Sequence, residues 1–73
     1  MLRRIAANRI ILDDKQLTQC VIEIEGDIVK SYYPLTDELP FTEWLGGTIT
    51  LTKYKDGTIR AFKDGKQLSQ HSR

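Results

Sequence analysis

Apolar and polar residues alternate along most of the chain, and turn-forming residues interrupt the alternation about every ten residues. The clearest run is Leu17–Glu25, which places one apolar set on one face, namely Cys20, Ile22 and Ile24. The intervening residues, Gln19, Val21, Glu23 and Glu25, fall on the other face. A period of two residues is typical of a half-buried β-strand, whereas a helix needs a repeat of about 3.6 residues, which no window of this chain shows.

The same alternation predicts five to six short strands. They are Arg9–Leu12, Leu17–Glu25, Ile28–Tyr33, Thr48–Tyr54, Thr58–Lys63 and Lys66–Leu68. Tight-turn signals join three pairs of them, at Gly26-Asp27, Lys55-Asp56-Gly57 and Asp64-Gly65. We therefore predict an all-β fold, a small antiparallel meander that is either barrel-like or a two-layer sheet.

One segment, around residues 34–46, does not follow the strand pattern. Pro34 and Pro40 interrupt any ladder because proline has no N–H to donate. We predict an irregular loop that buries its large apolar residues, which are Leu39, Phe41 and Trp44.

The length of 73 residues fits one domain. We place that domain at residues 1–68 and expect residues 69–73 to be a frayed polar tail. A chain of this size has a thin core, and small domains often depend on disulfides, metals or association for stability. Cys20 is the only cysteine, which rules out a disulfide within the chain, and Cys20 with His71 falls short of a zinc site. Association with a second copy or with a larger protein is the remaining source of stability.

Eleven Lys and Arg residues against ten Asp and Glu residues give a net charge of +1. Nucleic-acid-binding domains usually carry a strongly basic face, so this balance counts against nucleic acid as a partner. No apolar run reaches the length of a membrane helix, and the basic N-terminus is not followed by the apolar stretch of a signal peptide. We therefore expect no membrane association and a cytoplasmic location.

No residue set in the chain has the pattern of a catalytic, metal-binding or cofactor-binding site. Cys20 lies on the apolar face of its strand and is interpreted as a buried small hydrophobe, and His71 as a solvated tail residue. Asp13-Asp14 precede a strand and are interpreted as a turn, since aspartate bonds its own backbone there. We therefore predict neither enzymatic activity nor a bound cofactor.

The aromatic residues are the remaining candidates for function. Most of them are expected in the core, but exposed ones can form an interaction surface. We select Tyr32, Tyr33 and Trp44 as that possible surface. An alternative is a single-stranded nucleic-acid-binding barrel, in which Tyr32 and Tyr33 stack on bases and Lys30 supplies charge. A third hypothesis is an enzyme whose site lies between two chains, with carboxylates such as Asp13, Asp14 or Asp27.

Three segments of the chain form a characteristic series, namely Arg9-Ile10-Ile11-Leu12, then Val21–Val29 with its Gly26-Asp27 turn, and then Trp44–Ile49. This series, more loosely in its last segment, resembles the small N-terminal β domain of the amidohydrolase superfamily. In that family a metal-binding His-x-His motif and a catalytic barrel follow, whereas here Ile49–Tyr54 contains no histidine. The resemblance thus implies a detached relative of the flanking β domain, which packs against a larger body, with no catalytic residue carried over.

The predicted facing of the second strand can be tested by paired substitutions. Ile22→Ala should lower the free energy of unfolding by about 2–5 kcal/mol if Ile22 is in the core. On the pattern alone, Glu23→Ala should change it by no more than about 0.5 kcal/mol. Denaturant unfolding of both variants measures the difference, and equal losses at the two positions would contradict the assignment.

Overall fold

The structure is a computed structural model that describes residues 2–36 and 40–70. Its strands are β1 Arg3–Leu12, β2 Lys15–Glu25, β3 Ile28–Pro34, β4 Thr42–Trp44, β5 Thr48–Lys53, β6 Ile59–Lys63 and β7 Lys66–Leu68. Within the described ranges every regular element is a strand, which confirms the all-β prediction. The predicted hairpins at Gly26-Asp27, Asp56-Gly57 and Asp64-Gly65 all form.

The strands form one sheet in the order β3-β2-β1-β5-β6-β7, with β4 also paired to β1. This sheet differs from the predicted meander in having seven strands rather than five or six, and in being mixed rather than purely antiparallel. The difference arises because β1 pairs with β4 and β5 in parallel. The alternation of apolar residues defines which segments are strands, but it contains no information about which strands become neighbours across a long connection.

The first strand is longer than the sequence pattern suggests. We expected it to begin at Arg9, but β1 begins at Arg3 and pairs with β2 over most of its length. Arg3 and Arg4 sit within the strand because their guanidinium groups bond Glu43 and Glu23, at 2.9 and 2.8 Å. Because Arg3 and Arg4 are charged, apolar alternation alone does not identify the start of β1.

A glycine pair lets β4 and β5 lie one after the other along β1. Gly46 and Gly47 both have positive φ, 68° and 66°, a conformation that costs other residues energy. Asn8 fixes this break, since its Oδ1 accepts a hydrogen bond of 2.8 Å from the Gly47 N–H. The Arg9 N–H donates in turn to the Gly47 carbonyl at 3.1 Å.

The main core occupies one face of the curled sheet. Its buried residues are Ile5, Ala7, Ile10, Cys20, Ile22, Ile24, Val29, Ile49, Leu51 and Ala61. We call this the core face and the opposite side the outer face. The seven strands form one open sheet, which curls until β3 contacts β6.

The curled sheet is tied at one end by the residues after β7. The Gln70 N–H donates to the Gly26 carbonyl at 2.7 Å, and the Gly26 N–H donates to Gln70 Oε1 at 2.8 Å. The Ser69 carbonyl accepts a bond from Arg3. Ser69 and Gln70 are therefore held in place, in contrast to the frayed tail that we expected, while residues 71–73, including His71, lie outside the described residues.

Two small residues are buried on the outer face as well. Val21 is fully buried and Ala6 is 2% exposed, although neither belongs to the main core. The chain segment from β3 to β4 joins strands that lie on opposite sides of the β1–β2 pair. Its described ends are anchored by the Leu35 N–H to the Gln19 carbonyl and by Arg4 to the Pro40 carbonyl. Val21 lies on the outer face, as the alternation predicts. This face is buried at Val21, whereas we expected it to be exposed to solvent.

The glycine pair beside β1 provides a test of the parallel arrangement. Gly47→Ala should lower the free energy of unfolding by about 1–2 kcal/mol, because an alanine must adopt the left-handed region at φ 66°. Chemical denaturation measures the loss. Thr18→Ala, at an exposed position of β2, is the control and should stay within about 0.5 kcal/mol. A Gly47→Ala variant as stable as this control would contradict the described geometry.

Candidate functional site

Tyr32 and Tyr33 lie on opposite faces of the sheet. Tyr32 pairs with the buried Ile22 and lines a cavity at the edge of the core, whereas Tyr33 pairs with Val21 on the outer face. The predicted surface of Tyr32, Tyr33 and Trp44 is therefore not brought together as one patch. The same separation means that the two tyrosines cannot form a single stacking platform for bases.

Tyr33 and Trp44 do share the outer face. The ladder registers place Tyr33 opposite Val21, Val21 opposite Ala6, and Ala6 opposite Trp44. Three strand spacings separate the two aromatic residues, or about 14 Å. They are thus the two ends of one row across the sheet, with the small buried pair between them.

A hydrogen-bonded cluster occupies the neighbouring row of the outer face. Glu23 Oε2 accepts bonds from Arg4 Nε at 2.8 Å and from the Tyr33 hydroxyl at 2.9 Å. Glu23 Oε1 accepts a bond of 2.7 Å from the Ser31 hydroxyl. The Glu23 side chain is 15% exposed, so these donors compensate for much of the water that it loses.

This cluster shifts the pKa values of three of its members, and the hydrogen bond with Glu23 raises that of Arg4. The bond from Arg4, followed by those from Ser31 and Tyr33, lowers the pKa of Glu23. Burial, together with the adjacent Glu23 carboxylate, raises the pKa of Tyr33. The carboxylate is therefore kept charged and the phenol neutral, which suits a structural hydrogen-bond network better than proton transfer. Tyr33 was selected as a residue of the interaction surface, but its hydroxyl donates a hydrogen bond within this network.

The segment around β4 presents the most exposed apolar surface of the described chain. Phe41 is 95% exposed, Trp44 is 53% exposed and Leu45 is 37% exposed. We call these three residues the β4 patch. Phe41 was expected to be buried, and the structure corrects this prediction. Trp44, which was placed in the buried loop and also selected as a possible surface residue, is exposed, and Leu39 lies outside the described residues. β4 is only three residues long and pairs with β1, and among the described residues the Trp44 side chain is left half-exposed.

The sequence pattern gave no reason to select Phe41 as a surface residue. Its φ is +57°, a left-handed conformation that is uncommon for aromatic residues and costs about 1 kcal/mol. An exposed aromatic side chain in this conformation contributes little to the fold. The sequence signal for this conformation is the preceding residue, Pro40, since proline disfavours a regular strand.

The other candidates of the sequence analysis occupy separate positions. Cys20 is 3% exposed, which confirms it as a buried hydrophobe, and burial raises the pKa of its thiol. Lys30 lies 3.9 Å from Glu25, and the Arg60 guanidinium lies 5.4 Å from the centre of the Tyr54 ring. Asp13 occupies the two-residue turn between β1 and β2 with φ 54°. These positions bring no catalytic set together.

Among residues 2–36 and 40–70, no three His, Cys, Asp or Glu side chains are grouped so that they could hold a metal ion. The same ranges contain no helix long and apolar enough to cross a membrane. No protein-family model, curated protein or solved structure matches the chain. The resemblance to the amidohydrolase β domain therefore stays a prediction.

The Glu23 cluster changes one of our stability expectations. Glu23→Ala should now lower the free energy of unfolding by about 1–3 kcal/mol, because it leaves the Arg4, Ser31 and Tyr33 donors without their acceptor. Since the native pKa of Glu23 is depressed, its stabilising effect is present at neutral pH and is lost as the pH falls through that lowered pKa.

The matched variant for this effect is Glu23→Gln, which retains the shape but not the charge. The stability difference between wild type and Glu23→Gln should be greatest at pH 7 and should shrink below about pH 4. Urea unfolding across this pH range measures it. A difference that is constant from pH 7 to pH 3 would show that the charge of Glu23 does not stabilise the fold.

Proposed function

We propose that this chain is a non-enzymatic interaction module that associates with a second copy of itself through the β4 patch. The observation that carries this proposal is the 95% exposure of Phe41 beside the half-exposed Trp44. Aromatic residues are enriched at the energetically dominant positions of protein interfaces, and a Trp is the commonest of them. Of the three residues predicted as an interaction surface, the proposal retains Trp44. It replaces Tyr32 and Tyr33 with Phe41 and Leu45.

The backbone conformation of Phe41 supports a role for this residue in contacts between copies of the chain. A left-handed aromatic residue costs stability in the free chain, and exposure of its ring gains nothing from burial. An interface that covers the ring would recover the free energy of burial that the monomer lacks. Strain of this kind is more readily retained where it serves a contact.

The size of the patch indicates what sort of association to expect. Phe41 and Trp44 together expose roughly 300 Å² of aromatic surface. A stable interface covers about 800 Å² on each partner, so the patch would form the centre of a small interface with a polar rim. Because affinity depends on the quality of the central contacts and not on area alone, we expect a concentration-dependent association centred on the two rings.

The charges around β4 favour a second copy as the partner. On the face of the sheet that carries Trp44, Arg4 and Glu23 form an ion pair of 2.8 Å, and the Arg4 side chain remains about one third exposed. A two-fold interface presents the same surface from both copies, so a rim with both signs of charge is complementary to itself. The net charge of +1 adds little repulsion between copies.

The cytoplasmic location remains part of this proposal, supported by a free, buried thiol and the lack of any need for an oxidising compartment. Nucleic acid remains the alternative partner, with a weaker basis because the two tyrosines face opposite sides.

The proposal is tested with Phe41→Asn, since asparagine tolerates the left-handed region and removes the ring. We expect the wild type to form dimers as its concentration rises to about 1 mM, measured by analytical ultracentrifugation. Phe41→Asn should weaken dimerisation at least tenfold while leaving the unfolding midpoint unchanged or raised. Tyr54→Ser, which removes an exposed ring from the other end of the sheet, is the control and should dimerise like the wild type.

A wild type that stays monomeric throughout this range would contradict self-association. Equal weakening by Phe41→Asn and Tyr54→Ser would show that general hydrophobicity, not the β4 patch, drives the contact. Native mass spectrometry of the tagged protein from its source cells adds a second readout, because a heavier complex that survives Phe41→Asn would place the interface elsewhere.

A further inference from the structure

The end of the curled sheet opposite the Ser69–Gln70 tie contains a cavity of about 390 Å³. Its apolar wall consists of Leu12, Leu17, Tyr32 and Ile59. Three of these side chains, Leu12, Leu17 and Ile59, pack against the main core from its margin. The cavity therefore extends the apolar interior of the fold to the surface.

The cavity is open because the adjacent turns are short. The two-residue Asp13-Asp14 turn joins β1 to β2, and the β5–β6 connection closes on itself, with the Asp56 side chain accepting bonds from Thr58. Neither connection is long enough to fold over the mouth. Mouths of barrels are among the places where small ligands bind, and 390 Å³ lies within the usual range for such sites.

The polar groups at the mouth are unevenly charged. Lys15, Lys53 and Asp13 line it, which leaves an excess of one positive charge. In the described part of the chain, neither lysine forms an ion pair, in contrast to Lys30 and Lys63. Two ammonium groups above an apolar wall are complementary to a molecule with an apolar body and an anionic head.

We propose that this cavity binds a small amphipathic carboxylate, with its hydrocarbon portion against Leu17, Tyr32 and Ile59. The carboxylate head lies at the mouth between the Lys15 and Lys53 ammonium groups. This site is separate from the β4 patch in both position and chemistry, so it extends the proposed function and does not depend on it.

Decanoate serves as the probe, and decanol and decyltrimethylammonium serve as the neutral and cationic matched ligands. Isothermal titration calorimetry should show decanoate binding about tenfold or more tightly than decanol, with the cationic ligand weakest. Amide chemical-shift changes in labelled protein should centre on Leu17, Tyr32 and Ile59.

The double variant Lys15→Ala/Lys53→Ala should remove the preference for decanoate over decanol while leaving decanol binding unchanged. The control Arg9→Ala/Lys66→Ala removes two exposed positive charges away from the cavity and should retain the preference. The Phe41→Asn variant should also bind decanoate like the wild type. The test of the cavity therefore does not depend on whether the β4 patch mediates self-association.

Three results would overturn the inference. They are no binding of decanoate up to its solubility limit, equal affinity for decanoate and decanol in the wild type, and shift changes centred on Phe41 and Trp44. The last would mean that the probe binds the β4 patch as a general apolar surface.

Discussion

The fold depends on the pairing of β1 on both of its edges. On one side β1 forms a long antiparallel ladder with β2, and on the other it pairs in parallel with β4 and then β5. Ile5, Ala7 and Ile10 from this strand lie in the centre of the core. If β1 were removed, β2–β3 and β5–β7 would be two small antiparallel units, each with an uncovered apolar face. The buried face and the curl of the sheet both follow from this one strand.

The central position of β1 also explains where the surface features lie. Among the described residues β4 is a short strand that pairs only with β1, and its aromatic residue Trp44 is half-exposed. The break at Gly46 and Gly47 then directs the chain into β5, which leads to the cavity end of the sheet. The β4 patch and the cavity are thus set by the same strand at different points along its length, which keeps the two surfaces apart.

Much of the fold, including three hairpins, was predictable from the sequence, but the strands that pair across long connections were not. The facing of Cys20, Ile22 and Ile24 follows directly from their spacing, and the Gly-containing turns mark the hairpins. The period of two also implies that the adjacent residues Tyr32 and Tyr33 face opposite sides of the sheet. A single surface containing both tyrosines was therefore inconsistent with the strand pattern itself. The burial of Val21 could not be derived, because its alternation with Cys20 and Ile22 places it on the polar face of the strand. The exposure of Phe41 depends on a backbone conformation that aromatic residues rarely adopt.

The parallel pairing of β1 has a consequence for how the chain folds. Each hairpin can form from residues close together in sequence, but β1 finds its second edge only among residues from the second half of the chain. During synthesis the β1–β3 unit therefore emerges before β4 and β5, with one edge of β1 and its apolar face uncovered. Distant contacts of this kind slow folding, because a long loop must close before they form. The sheet can therefore be completed only after β4 and β5 have been synthesised.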